Sequence, residues 1–283
     1  MKFAIGTAQF KHGYGILNNH INVRDAISVI KTKKKNINFI DTAPSYGSEE
    51  YLSKYLNKKI KIITKIDKLK SKKPEDAAKE IEKKIMASFK KLNRTIECVL
   101  FHHETDAYWL KNNIVKKKIK EMIKNNYFKK IGVSCYSYKK IQNFCNFFSF
   151  EVFQFPLNVL NLDKNKIKLL KKLKKTYHFQ IHARSIFLQG ILLVNEKKIP
   201  KKLTKIKNKI ININKIAKIK NVEVQDYLIS AIDNLDLVDC AVVGIKNYKE
   251  LIKLSNYKKI KLTNNEIYKF KTNLTRTIDP RNW

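Results

Sequence analysis

Glycine is scarce in this chain, with seven residues in 283 where average usage would place about twenty. Proline is scarcer, at five, so neither a collagen-like repeat nor a Pro/Gly-rich low-complexity segment can be built. The four cysteines, Cys98, Cys135, Cys145 and Cys240, form no C-x-x-C pair. That spacing excludes a zinc ribbon and a disulfide framework, and they read as buried free thiols. Acidic residues number 24 against 60 lysines and arginines, a net charge of +36. Arginine is nearly missing from that total, present only at Arg24, Arg94, Arg184, Arg276 and Arg281. Recognition of bases and phosphates leans on the arginine fork. Lysines scattered among isoleucine and asparagine therefore read as a solvated basic surface, with no specific nucleic-acid partner expected. No apolar run reaches the length of a membrane span. The opening MKFAIGTAQF holds no stretch of signal-peptide length, and a reducing, cytoplasmic setting is the expectation.

What is present is ample core material: 43% hydrophobic and 11% aromatic residues exclude a disordered chain. Eight short β-rich runs recur, KFAIGT, INFIDT, IKIITKI, ECVLFHH, KKIGVS, EVFQFP, FQIHARS and CAVVGI. Between most of them lie segments with apolar residues three and four apart, as from Ala77 to Leu92 and from Ile114 to Phe128, which is helical spacing. Several runs are apolar at consecutive positions, as expected for parallel strands covered on both faces. Eight strands alternating with helices over this length predict a (β/α)8 barrel, with a doubly wound open sheet as its main competitor. No linker interrupts the alternation, so residues 1–283 read as one domain. Leu188 to Asn221, with Pro200 and a dense lysine run, is expected to form a long basic loop or a loop plus a helix. Six of the seven glycines fall in or just beyond the C-terminal part of a strand, the end of a barrel whose loops carry chemistry.

Three successive runs end in Asp41, Lys65 and His102, and Tyr46 lies five residues beyond Asp41. Taken singly, each has a plain structural explanation: a helix cap, a surface lysine, a packing tyrosine, a satisfied histidine. Consecutive parallel strands are neighbours, so the four side chains can converge on one mouth. A buried lysine beside a buried carboxylate keeps its charge. Such a lysine beside a phenol favours the phenolate, drawing it from about 10 toward the range of proton transfer. With a histidine to orient an oxygen, this constellation suits carbonyl reduction.

The segments GTAQFKHGYGILN, FIDTAPSYGSEE, IITKI, VLFHHETD, KKIGVSCYS, VFQFPLNVL, IHARSIFLQGILL and VVGIKNYKEL together resemble the aldo-keto reductase family, in family order from Gly6 to about Leu254. D-T-A-x-x-Y-G is a fairly specific signature of it. The resemblance implies the (β/α)8 barrel and NAD(P)H-dependent interconversion of a carbonyl and an alcohol, with no metal. It makes Asp41, Tyr46, Lys65 and His102 the catalytic four, with Tyr46 as proton donor. The tandem His102-His103 leaves a choice of one position. His102 continues the apolar run Val99, Leu100, Phe101 and is preferred, with His103 pointing away.

For the cofactor, NADPH in preference to NADH, the resemblance implies Thr7, Asp41, Ser134 and Gln154 among the binding residues, with Ser134 and Gln154 on the nicotinamide carboxamide. Cys135 stands where family members carry an asparagine, so one hydrogen bond there is expected to be lost or replaced. Arg184 occupies the place of a stacking tyrosine, where a guanidinium can stack on the ring or bind an anionic substrate group. Ser185, Leu188 and Gly190 match the loop after the seventh strand, and Gly244 and Lys246 match the phosphate-binding helix start after the eighth. The family's usual Glu-Asn pair is not recognisable at Lys253-Leu254. The implied substrate is a small carbonyl compound, a sugar or sugar derivative among the candidates. HARSIFLQG and Asn158 resemble a branch met among bacterial surface-sugar enzymes, and Arg184 and His182 would suit an anionic substrate. A monomer or weak homodimer is expected. The rival reading is a catalytically weak, cofactor-binding regulatory subunit or a basic polyanion-binding protein.

Overall fold

In the computed structural model, which describes residues 1–18 and 20–283, eight parallel strands close into a barrel. They are β1 (Lys2–Gly6), β2 (Ile37–Asp41), β3 (Lys61–Ile66), β4 (Ile96–Phe101), β5 (Phe128–Ser134), β6 (Val152–Pro156), β7 (Gln180–Arg184) and β8 (Cys240–Gly244). All eight β-rich runs of the sequence are strands. Pairing of β1 with β8, from Lys2↔Cys240 to Gly6↔Gly244, closes the sheet and rules out the open doubly wound alternative.

Helices wrap the outside. Pro74–Leu92 shows why they form: proline at its start, Glu75 and Asp76 in the first turn, Lys90 and Lys91 in the last. Each suits the backbone dipole or the missing donor at that end. Asn93, at φ 51°, ends the helix by returning its N–H to Phe89 O. The buried stripe Ala77, Ala78, Ile81, Ile85 and Leu92 packs on the barrel. The next helix, Asn113–Lys124, stops short of the expected Phe128. Asn126 adopts φ 59° and turns the chain, and Phe128 opens β5. Helical spacing ran on by coincidence, because Tyr127 and Phe128 belong to the turn and the strand. The basic stretch after Leu188 is a loop of short turns followed by the helix Lys207–Ile219, held down by buried Leu203, Ile206, Ile210 and Ile213.

All four thiols are free, but only Cys98, Cys135 and Cys240 are buried; Cys145 is half-buried, which corrects the expectation for that residue. Burial pushes the Cys135 thiol up to about 12 and Cys145 to about 11, so neither is a thiolate near neutrality.

Inside the barrel, alternation with a period of two sorts side chains into layers. Ile63, Cys98, Leu100 and Val152, with Phe39 against them, form an apolar layer. Two residues further along stand Asp41, Lys65 and Gln154, on β2, β3 and β6, and His102, just past the end of β4. Gly132 is required at its position in β5, since a Cβ there would lie 2.2 Å from Val152 O and 2.7 Å from a Leu100 methyl.

His182, on β7, is 2% exposed, and its Nδ1 meets no partner among the described residues. Burial lowers its pKa to about 4. The folded ring is therefore neutral where the unfolded chain already takes up a proton, near pH 6.5. Stability is present above that pH and is lost as pH falls toward 4, by about 2–3 kcal/mol from this residue. Urea unfolding at pH 7 and pH 4.5 should show a smaller acid loss for His182→Leu than for the wild type. Equal losses would contradict the assignment.

Candidate active site

The C-terminal ends of β2, β3 and β6 bring a carboxylate, an ammonium and an amide into contact. Lys65 Nζ donates to Asp41 Oδ1 at 2.6 Å and to Thr42 O at 2.9 Å. Gln154 Nε2 donates to Asp41 Oδ2 at 2.7 Å. Both carboxylate oxygens are thus satisfied, as a buried charge demands. Lys65 and Asp41 are each 3% exposed. Burial pushes the Lys65 ammonium down, but the Asp41 charge and the neighbouring Tyr46 more than offset it, leaving its pKa above the ordinary lysine value. The lysine stays charged.

Tyr46 ends the turn Pro44–Tyr46 that follows β2, closed by Gly47 at φ 67°. Lys65 Nζ sits 5.0 Å from the centre of its ring. The His102 ring also meets it, edge to face, at 6.0 Å between centres. His102 is the histidine that meets Tyr46; its Nδ1 lies 3.2 Å from Asp67 Oδ1, and His103 precedes the turn Glu104–Lys111 without a capping side-chain hydrogen bond. An ionised carboxylate only accepts, so Nδ1 carries the proton in that pair, and the bond holds Asp67 below the usual carboxylate range. Ser45 Oγ also donates to Asp67, at 3.1 Å. Asp67 escaped the sequence reading, although its place two residues beyond Lys65 puts it at the same rim.

Asp41 and Tyr46 line a cavity of about 450 Å3 together with Gln154, Arg184, Ser185, Gly190, Gly244 and Lys246. Lys65, His102, Thr7, Ser134 and Leu188 are not among its lining residues; Lys65 and His102 reach it through their contacts with Tyr46. Thr7 is wholly buried and braces the floor: its Oγ1 donates to Asp41 O at 3.2 Å and accepts from Ser48 Oγ at 2.8 Å. Leu188 packs in the core, and Ser134 is buried behind the wall. Cys135 also lies in the core, so the amide hydrogen bond expected from an asparagine there has no replacement in this side chain.

The loop after β7 is bent by three non-glycine residues with positive φ, Ser185 (56°), Leu188 (48°) and Gln189 (55°), followed by Gly190 at 92°. Left-handed backbone at side-chain-bearing residues is sparsely populated and clusters at ligand-holding loops. Asn158 braces this loop, donating from Nδ2 to Ser185 O at 3.2 Å. Arg184 stacks on the protein's own Tyr136, with its guanidinium carbon 4.2 Å from the ring centre. Tyr14, which also lines the cavity, is a second phenol the sequence reading missed, and burial raises its pKa.

At the far end of the cavity the backbone N–H of Lys246 donates to Glu250 Oε2 at 2.7 Å, and Lys253 pairs with Glu223 at 2.8 Å. Both glutamates belong to the lining, and Gln225 adds a buried Nε2 with no partner among the described residues.

The sequence profile of the Aldo/keto reductase family matches residues 2–273. No curated protein matches the chain. Solved structures share its fold. The glycerol dehydrogenase AKR11B4 from Gluconobacter oxydans is 19% identical, with a TM-score of 0.70 over 93% of this chain and 88% of that one. MGS-M4, an aldo-keto reductase from a Medee basin deep-sea metagenome library, is 17% identical, with a TM-score of 0.67 over 95% and 90%. The Bombyx mori aldo-keto reductase AKR2E4, solved in complex with NADP, is 16% identical, with a TM-score of 0.66 over 95% and 88%. The chain belongs to the aldo/keto reductase family, whose members are NAD(P)H-dependent oxidoreductases.

The buried pair carries its own test. Lys65→Met leaves the Asp41 carboxylate buried with only Gln154 to hold it, and should destabilise the protein by about 3–5 kcal/mol. Adding Asp41→Asn should restore part of that loss in denaturant unfolding. A double variant as unstable as the sum of the two singles would contradict the coupling.

Proposed function

We propose that this member of the aldo/keto reductase family reduces a small aldehyde or ketone to an alcohol with NADPH, using Tyr46 as the general acid. One observation carries the reading: the Tyr46 ring, on the wall of the cavity, is met by both the Lys65 ammonium and the His102 imidazole.

The residues present suit the cofactor. With its Nε2 spent on Asp41, Gln154, which lines the cavity, keeps a carbonyl oxygen, the acceptor a carboxamide –NH2 needs. The Ser185–Gly190 loop supplies a curved backbone wall, and Gly244 leaves room beside it. Lys246 and the unpartnered Gln225 Nε2 offer donors to phosphate and adenosine. Lys246 is exposed and its side chain has no ion pair among the described residues, which favours a cofactor with an additional phosphate. When bound, that cofactor supplies the hydride.

The chain's own part is proton transfer and charge. Tyr46 gives its hydroxyl proton to the carbonyl oxygen as negative charge builds there. Lys65 presents a fixed positive charge to the phenolate left behind, and Asp41 keeps Lys65 in place. His102, its Nδ1 held by Asp67, is the side chain that would hydrogen-bond the substrate oxygen. Substrates are small carbonyl compounds, sugar derivatives included, since the lining mixes Tyr14, Gln189 and Arg184 with Phe187 and Leu193. Arg184 suits an anionic group on such a substrate.

Loss of nicotinamide absorbance with a panel of aldehydes tests the reading. Tyr46→Phe should lower kcat by at least about a hundredfold while NADPH affinity, read by fluorescence, stays within about threefold. A wild type as inert as Tyr46→Phe, with cofactor still bound tightly, would favour a cofactor-binding regulatory subunit instead.

A further inference from the structure

Two of the five arginines in this lysine-rich chain meet on one ring. Arg184, at the end of β7, and Arg281, in the turn Pro280–Asn282 of the C-terminal tail, bring their guanidinium carbons 4.2 and 3.7 Å from the centre of Tyr136. At those separations both guanidinium groups are in cation–π contact with the ring, so Tyr136 is shared by two cations.

Their charges are treated differently. Arg281 is neutralised by Asp279: Nε lies 3.0 Å from each carboxylate oxygen, Nη2 is 2.5 Å from Oδ2, and the Arg281 backbone N–H caps Oδ1 at 3.1 Å. Arg184 forms no ion pair among the described residues, and its Nε is buried without a partner. It lines the same cavity as Tyr46, and the Tyr14 hydroxyl feels both groups. A guanidinium held against an aromatic ring, with a donor out of water and no acceptor for it, lacks an oxyanion.

We propose that Arg184 is the substrate's anion handle, and that Tyr136 and Arg281 are positioning residues that hold its plane. The preferred substrates would be small carbonyl compounds bearing a carboxylate or phosphate, the oxyanion seated on Arg184 and the carbonyl directed to Tyr46. The clamp explains why arginine appears here when lysine serves nearly everywhere else: only a planar fork stacks and still donates sideways. The same clamp ties the C-terminal tail to the mouth. Asp279 removes the charge of the outer cation, so only the inner one attracts an anion into the cavity. This inference rests on the carbonyl-reductase reading.

Two pairs of aldehydes separate the ideas, 4-oxobutanoate with butanal and glyceraldehyde 3-phosphate with glyceraldehyde. In the wild type, kcat/KM for at least one charged member should exceed that of its neutral partner by about tenfold or more, mostly through KM. Whichever pair shows the ratio identifies carboxylate or phosphate as the group held. Arg184→Gln should bring that ratio close to one. Tyr136→Leu and Arg281→Gln should lower it by several-fold, and Tyr136→Phe should keep it, because the ring and not its hydroxyl does the holding. Equal kcat/KM within both pairs in an active wild type would overturn the anion handle and leave carbonyl reduction standing. So would an Arg184→Gln variant whose ratio is unchanged while its NADPH dissociation constant, read by fluorescence, rises about tenfold; Arg184 would then belong to the cofactor. If no aldehyde is turned over, the reductase reading fails. In that case calorimetric titration of the NADP-loaded protein with succinate and with succinamide decides: tighter succinate binding lost in Arg184→Gln supports the handle, and equal binding overturns it.

Discussion

Keeping one ammonium charged inside the barrel is the constraint on which the mouth is built. A lysine as buried as Lys65 would shed its proton if it stood alone. Asp41 and the Thr42 carbonyl hold it, while Gln154 takes the remaining oxygen of Asp41. Buried pairs of this kind add little stability over an apolar pair of the same size. The arrangement makes physical sense as a fixed positive charge delivered to one place, and that place is beside the Tyr46 ring.

The barrel delivers it there with little freedom. A two-residue period puts Phe39, Ile63, Leu100 and Val152 in one inward layer and Asp41, Lys65, His102 and Gln154 in the layer above. The lower layer is a packed apolar plug that excludes water from beneath the ion pair. From the upper layer Asp41 and Gln154 line the cavity. Loops then add what strands cannot: the bent backbone after β7, the Tyr46 turn and the C-terminal tail that reaches Tyr136. Each is braced by a polar contact, Asn158 to Ser185 O, Ser45 to Asp67, Asp279 to Arg281. A lysine-covered surface leaves this interior logic untouched.

Much of the frame was legible because its signals are local. Runs such as CVLF and CAVVGI are apolar at successive positions since both faces of a parallel strand are covered, and Asp41, Lys65 and His102 announce themselves by ending such runs. Less legible was anything set by two distant segments. Nothing near Tyr136 in the chain indicates that Arg281 will lie on it, and that contact depends on where the last turn packs. The left-handed residues after β7 carry no glycine signal except at Gly190. Spacing misled at Phe128, where helix-like periodicity continued into a strand. Thr7 and Leu188, assigned to the cofactor by resemblance, sit behind the lining, because strand-end position does not by itself tell which way a loop residue turns.

Whether phenol, ammonium and carboxylate act as one device is measured directly by a kinetic double-mutant cycle. Single-turnover reduction would be followed in the wild type, Tyr46→Phe, Lys65→Met and the pair. If Lys65 acts only through the phenol, the double variant should be no slower than Tyr46→Phe alone, within about threefold. Losses that multiply, the double variant slowed by the product of the two single effects, would show independent roles and contradict the claim.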